Sequence, residues 1–239
     1  MRIASKYCAW SVLLHANLSQ RLRGRTVDIV VGAQQEVFSV HERLVRASSS
    51  FFDKAMAGDW KESQQRTIHL PDDEPEIFAL YVHWLYYGTL PVFCDEPGLP
   101  GNSEYLNLVK AYVLGDKILD SRYQDEAIDA IVEKCQSKAQ DGANWFPVGE
   151  VIRYAFDNTN ESAPIRELLV DMYAIHGKRI WLQDWAEPAN VPQPFLFKLA
   201  TTLLDWRNGA KLSFQSSRYH AHRSDEGNSP TKLPSLTKA

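Results

Sequence analysis

Apolar residues along this chain fall into short runs with two different periods. Trp10, Leu14, Leu18 and Leu22 recur every four residues, with Leu13 beside them and Arg21, Arg23 and Arg25 closing the segment. That spacing predicts an amphipathic helix, which Gly24 ends. Val27-Asp28-Ile29-Val30-Val31 and Val37-Phe38-Ser39-Val40 are β-branched runs joined by Gly32-Ala33-Gln34-Gln35-Glu36, a hairpin-length connection carrying a glycine. His41 to Ser48 reads as a short helix. Ser49-Ser50 offers an N-cap for another through Phe51, Phe52, Ala55 and Met56, stopped at Gly58. Thr67-Ile68-His69-Leu70 alternates and predicts a third strand before Pro71.

From there the period becomes helical. Asp72, Asp73 and Glu74 stand before Pro75, acids that complement a helix dipole and a proline that suits the first turn. Ile77, Leu80, Tyr81, Trp84 and Leu85 share one face of the helix that follows, and Gly88 stops it. Pro91, Pro97, Gly98, Pro100 and Gly101 predict a loop, after which Leu106, Val109, Val113 and Leu114 mark a helix starting at Ser103-Glu104-Tyr105-Leu106. Ser121-x-x-Gln124 reads as a capping box for a helix carrying Tyr123, Ala127, Ile128, Ile131 and Cys135. Beyond Asp141-Gly142 three more helices are expected. One carries Val148, Val151, Ile152 and Ala155, the next Ile165, Leu168, Leu169 and Met172. Past a break at Pro188, Pro192 and Pro194, the last carries Phe195, Leu199, Leu203 and Trp206, and Asn208-Gly209 ends it. The chain is polar and aperiodic from Ser213 onward, so the expected organisation is an N-terminal segment 1–24, a domain 25–140, a helical extension 143–208 and a disordered tail 209–239.

Composition narrows the function. Hydrophobic residues are 44% and charged residues 23% of the 239, enough for a packed core. A net charge of −4 gives no general attraction to nucleic acid. No apolar run reaches the ~20 residues of a membrane span. Cys8, Cys94 and Cys135 are too widely spaced for a disulfide framework or a metal clamp, which points to reduced thiols in the cytoplasm or nucleus.

No reaction chemistry assembles either. Of the histidines only His220 and His222 are close, and structural zinc needs clustered ligand pairs, so neither a metal nor another cofactor is expected. The chain has no nucleophile elbow, no phosphate-binding loop and no dinucleotide fingerprint, and an enzyme is the least favoured class. Asp95 and Glu96 beside Cys94 disfavour its thiolate. Asp72-Asp73-Glu74 reads as a helix start rather than a metal site, His41 as a packed or hydrogen-bonded residue, and Trp60, Trp84 and Trp206 as core. Ser229-Pro230-Thr231-Lys232 has the form of a proline-directed kinase site.

Several strings in order carry a family resemblance. They are Val37-Phe38-Ser39-Val40-His41, then Arg46-Ala47-Ser48-Ser49-Ser50-Phe51-Phe52, then Trp60-Lys61-Glu62-Ser63. Ile68-x-Leu70-Pro71-Asp72-Asp73 with Glu76-Ile77-Phe78 follows, then Leu85-Tyr86-Tyr87-Gly88 and Gly115-Asp116-Lys117. Together they resemble the BTB/POZ domain over residues 25 to 135, and their wording is similar to that of fungal proteins with a single BTB domain. The sequence departs from the family where Glu42 follows His41 in place of a basic residue, and where Ile118 follows Asp-Lys in place of an aromatic one.

The resemblance implies an α+β, mostly helical fold: a small β-sheet flanked by helices, with the helical extension after it. It also implies a protein–protein interaction module, an adaptor or scaffold that forms a homodimer; the net charge and the lack of a long apolar run speak against nucleic acid and membrane as partners. The N-terminal helix would lie at the dimer seam through Trp10, Leu14, Leu18 and Leu22, or pack on its own domain. Asp28 would join the seam, answered by Arg43 or Arg46, or point outward from an alternating strand. Some BTB proteins hold the cullin scaffold of ubiquitin ligases through a hydrophobic-x-acid tripeptide. Phe93-Cys94-Asp95 fits its letters, with Tyr105 and Leu106 at the next helix. A transcription-associated nuclear scaffold is a further alternative, although residues 211–239 carry no basic cluster.

Overall fold

The structure is a computed structural model that describes residues 22–58, 60–92, 96–183, 191–207 and 215–220. The strands are β1 (Thr26–Val31), β2 (Glu36–His41) and β3 (Thr67–Leu70), in the order β2-β1-β3. β1 pairs antiparallel with β2, Thr26 opposite His41, and parallel with β3, Asp28 opposite Thr67. Between β2 and β3 lie α1 (Glu42–Ser48), α2 (Ser50–Ala55) and α3 (Lys61–Gln65). After β3 come α4 (Pro75–Tyr87), α5 (Leu99–Lys117) and α6 (Ser121–Gln136). The extension adds α7 (Glu150–Asn158), α8 (Pro164–His176), α9 (Arg179–Gln183) and α10 (Gln193–Arg207). The architecture is the mostly helical α+β one expected, a small sheet flanked by helices.

Alternation in β1 sets the orientation of the sheet. Val27, Ile29 and Val31 are fully buried, whereas Asp28 and Val30 lie on the half-exposed face. The hairpin turns at Gly32, whose φ of +74° suits glycine, and a Cβ there would sit 3.1 Å from the Pro75 ring. Against the buried face of the sheet stands an aromatic cluster. Phe52 stacks on Tyr81 at 6.2 Å between centroids, and Tyr81 meets Tyr123 edge-on at 4.9 Å.

One buried carboxylate ties the helices together. Asp120 caps α6 by accepting from the Tyr123 amide at 3.1 Å, and it also accepts from Ser48 Oγ at 2.5 Å and Tyr81 OH at 3.0 Å. Ser49, the N-cap of α2, donates its hydroxyl to the Ile118 carbonyl at 2.5 Å. Ile118, the departure from the family's aromatic residue, is fully buried. The cap of α6 is therefore Asp120 and not Ser121, which occupies the first helical position, because carboxylate geometry and burial favour the residue one step earlier.

The extension is bound to the domain by polar contacts and shared core. Asn102 on α5 bonds the Val148 backbone in both directions, at 3.2 and 3.1 Å, and Tyr105 on α5 donates its phenol to the Trp145 carbonyl at 2.7 Å. Inside the extension Phe195 is fully buried, edge-on to Phe156 at 5.5 Å and to Tyr173 at 5.0 Å.

Other expectations need correction. α5 begins at Leu99, not Ser103, because Pro100 falls in the first turn, where a missing N–H costs nothing. α3 and α9 escaped the periodicity because five residues make little more than one turn. Trp60, read as core, is 68% exposed ahead of α3. Within the segment expected to be disordered, residues 215–220 are ordered: Ser216–Tyr219 form a 3-10 turn and Tyr219 is fully buried.

Candidate functional site

At the start of β1 the chain borders a charged cleft of ≈ 610 Å³, lined by Gly24, Arg25, Glu42, Arg43, Arg46, Ala47 and Asp53. The local fold explains the lining. β1 and β2 pair up to Thr26 and His41, so the residues entering β1 lie beside the first turn of α1. Arg43 and Arg46 on α1 and Asp53 on α2 then face the same opening.

Glu42 organises the charges. It accepts from Arg46 Nη1 at 2.9 Å and from Arg66 Nη2 at 2.7 Å, while Arg46 Nε donates to Asp53 at 2.9 Å. The hydrogen bond from Arg66, followed by that from Arg46, holds the Glu42 carboxyl below its ordinary range despite partial burial. Hydrogen bonds to Asp53 and Glu42 likewise push the Arg46 guanidinium up. Arg66 adopts a left-handed conformation at the end of α3 and also donates to the Thr26 carbonyl at 2.7 Å. The acid at position 42 therefore joins α1, α3 and β1 in one network. Arg25 and Arg43 remain exposed at the rim, with no ion pair to another described residue.

The sequence-predicted residues separate into groups. Arg43 and Arg46 share the cleft, but neither answers Asp28, which lies on the outer face of the sheet and accepts from Ser39 Oγ at 2.6 Å across the β1–β2 ladder. The physical reason is register: Asp28 and Ser39 are directly opposed, whereas the arginines sit beyond the strand end. Leu22 packs half-buried against the core, and Trp10, Leu14 and Leu18 lie outside the described residues. His41 is hydrogen-bonded as expected, its Nδ1 lying 2.8 Å from Tyr86 OH.

Phe93, Cys94 and Asp95 also fall outside the described residues. Tyr105 is buried on α5, with its phenol donating to the Trp145 carbonyl at 2.7 Å, and Leu106 is half-buried beside it. His222 and Ser229 to Lys232 lie outside the described residues as well. Asp73 and Glu74 meet Lys117 and Lys110 of α5 at 2.7 and 2.6 Å, so these acids dock α4 on α5.

Sequence reasoning missed Asp53 and Arg66 as members of the charged network and Arg25 as part of the cleft lining. The available signal was Glu42 itself, an acid beside Arg43 and one turn before Arg46, at a position where the BTB/POZ resemblance leads one to expect a base. On α10, Leu196 and Leu203, and likewise Phe197 and Leu204, repeat at two-turn spacing and leave an exposed apolar face. No helix among the described residues is long and apolar enough to cross a membrane.

Comparison with known proteins agrees with this architecture. The model of the BTB/POZ domain matches residues 18–110. "Kelch repeat and BTB domain-containing protein 4" of Mus musculus is 30% identical over 69 residues, which cover 29% of this chain and 13% of that protein. Its Homo sapiens counterpart is 29% identical over 69 residues, with the same coverage of 29% and 13%. "Kelch-like protein 26" of Danio rerio is 28% identical over 113 residues, 46% of this chain and 18% of that protein. The matched stretch therefore spans only 13% to 18% of the length of these relatives.

Proposed function

Proceeding from a BTB/POZ domain at residues 18–110, we propose that this chain is a protein–protein interaction module that forms a homodimer and acts as an adaptor or scaffold. The observation that carries this reading is the domain match, which begins at residue 18 and so takes in Leu18 and Leu22 of the apolar stripe. A helix with leucines on one face must cover them to be stable in water, and a second copy supplies that cover symmetrically. The seam would comprise Trp10, Leu14, Leu18 and Leu22. Arg43, exposed at the cleft, would form the charged rim together with Asp28 and Arg46. In this role the chain binds and positions other polypeptides and performs no reaction.

Light scattering coupled to size exclusion tests it. The wild-type chain should elute as a dimer, and Leu14→Asp/Leu18→Asp as a folded monomer. A monomer in both cases refutes the reading.

The likeness to Kelch-containing relatives favours a narrower second reading, a substrate adaptor of a cullin-based ubiquitin ligase. Phe93, Asp95 and Leu106 would make the contact, and Tyr105, already buried, would position α5 rather than touch the partner. Purified cullin N-terminal domain should be retained by the wild-type chain and retained less by Phe93→Ala or Leu106→Asp. No retention by the wild type removes this branch.

A further inference from the structure

Residues 215–220 return from the end of the extension and seat in a groove between α6 and α8. Each wall carries two carboxylates one turn apart: Asp125 and Asp129 on α6, Glu167 and Asp171 on α8. Like charges at that spacing disfavour a helix, so both walls gain from cations laid across them. The segment lays the Arg218 guanidinium against one wall and the His220 imidazole against the other. Arg218 meets Glu167 at 3.0 Å and Asp171 at 3.4 Å, and His220 Nε2 lies 2.9 Å from Asp129, with its Nδ1 3.8 Å from Asp125.

Tyr219 is the anchor. Its ring is fully buried beneath the Arg218 guanidinium, 5.5 Å from the ring centre, and its phenol donates to Asp171 at 2.8 Å. Asp171 is itself 3% exposed, and both of its side-chain partners among the described residues, Tyr219 and Arg218, come from this segment. A buried carboxylate whose side-chain partners, among the described residues, all come from a six-residue segment distant in sequence has the form of a ligand site.

We propose that the groove between α6 and α8 is a recognition site for a short basic–aromatic peptide, and that Arg218-Tyr219-His220 is its resident ligand, held in cis and exchangeable. One buried aromatic ring gives affinity, as at an interface hot spot, and the flanking guanidinium and imidazole give direction and selectivity for the acidic walls. Arg218 and Glu167 are each more than 40% exposed, so that pair is screened and opens readily. A partner presenting an arginine–tyrosine–histidine sequence competes with a tethered copy, and occupancy in cis keeps the groove closed until such a partner is abundant. This inference does not depend on whether the chain dimerises.

The test uses the full chain and a fluorescein-labelled synthetic peptide of residues 213–222. By fluorescence anisotropy, Arg218→Ala/Tyr219→Ala should bind the peptide saturably, and the wild-type chain roughly tenfold more weakly because its groove is filled. Adding Asp171→Asn to that variant, or replacing the peptide's arginine with glutamate, should lower affinity by roughly tenfold. Equal binding by both chains means general attraction to an acidic surface and overturns the proposal. So does no binding to a variant that keeps the wild-type circular dichroism spectrum.

If the double variant does not fold, hydrogen exchange on the wild-type chain decides. Saturating peptide should strip protection from amides 216–220 and leave α6 and α8 protected, and unchanged protection at 216–220 overturns the proposal.

Discussion

Replacing Asp120 with alanine removes one acceptor that serves three donors. The first loss is the cap of α6, where the Tyr123 amide goes unanswered, at a cost of about 1 kcal/mol. The second is the Tyr81 phenol, which is fully buried and cannot turn to water, costing about 1–3 kcal/mol. Ser48 is only half-buried, so its hydroxyl can be resolvated at small cost. Part of this is returned, because burial holds the Asp120 carboxyl above the ordinary carboxylate range and its charge is itself unfavourable there. The net expectation is about 3 kcal/mol for Asp120→Ala. Asp120→Asn should cost about 1 kcal/mol, since the amide oxygen still accepts from Tyr123. Urea unfolding followed by far-UV circular dichroism measures this. With a slope of about 2 kcal/mol/M, the alanine variant should unfold about 1.5 M earlier and the asparagine variant about 0.5 M earlier. An alanine midpoint within about 0.3 M of the wild type, or equal effects of the two substitutions, refutes the view of Asp120 as the junction of α1, α4 and α6.

Three further outcomes are expected. Tyr123→Phe should leave urea stability unchanged or raise it by up to about 1 kcal/mol, because the buried Tyr123 hydroxyl has no hydrogen-bond partner among the described residues, whereas Tyr81→Phe should cost about 1 kcal/mol. Burial raises the carboxyls of Asp120, Glu126 and Asp171, so the folded chain takes up protons more readily than the unfolded one. Their contribution is fully present below the unfolded values and is lost as pH rises through the raised folded values. Glu42, held low, acts in the opposite sense, its contribution fading as pH falls through its lowered value. Urea midpoints between about pH 4 and 7 should therefore fall less steeply with rising pH in Asp120→Asn than in the wild type, and parallel profiles would exclude Asp120 as a source. Burial pushes the Cys135 thiol up to about 12, so mass spectrometry should find it alkylated by iodoacetamide only after unfolding; labelling in the native chain contradicts its place in the core.

Elements whose signals are local and repeated were legible before any packing was known. Period two exposed β1, β2 and β3, and the alternation around Asp28 already allowed the outward orientation it takes. Spacing of three and four exposed α4, α6, α7 and α8, since each buries a full apolar face. The motif order between Phe38 and Lys117 pointed to the family matched at residues 18–110.

Which polar groups meet was settled by packing. Arg46 could have answered Asp28 by charge alone, but strand register gave Asp28 to Ser39 and left Arg46 to Glu42 and Asp53. Tyr219 sat in a polar stretch without periodicity, and its burial depends on Asp171, a residue on a helix distant in sequence. Periodicity registers how one segment divides between core and water; it carries no information about partners brought together by chain crossings. A single aromatic anchor and a carboxylate pairing therefore stay invisible until the helices are packed.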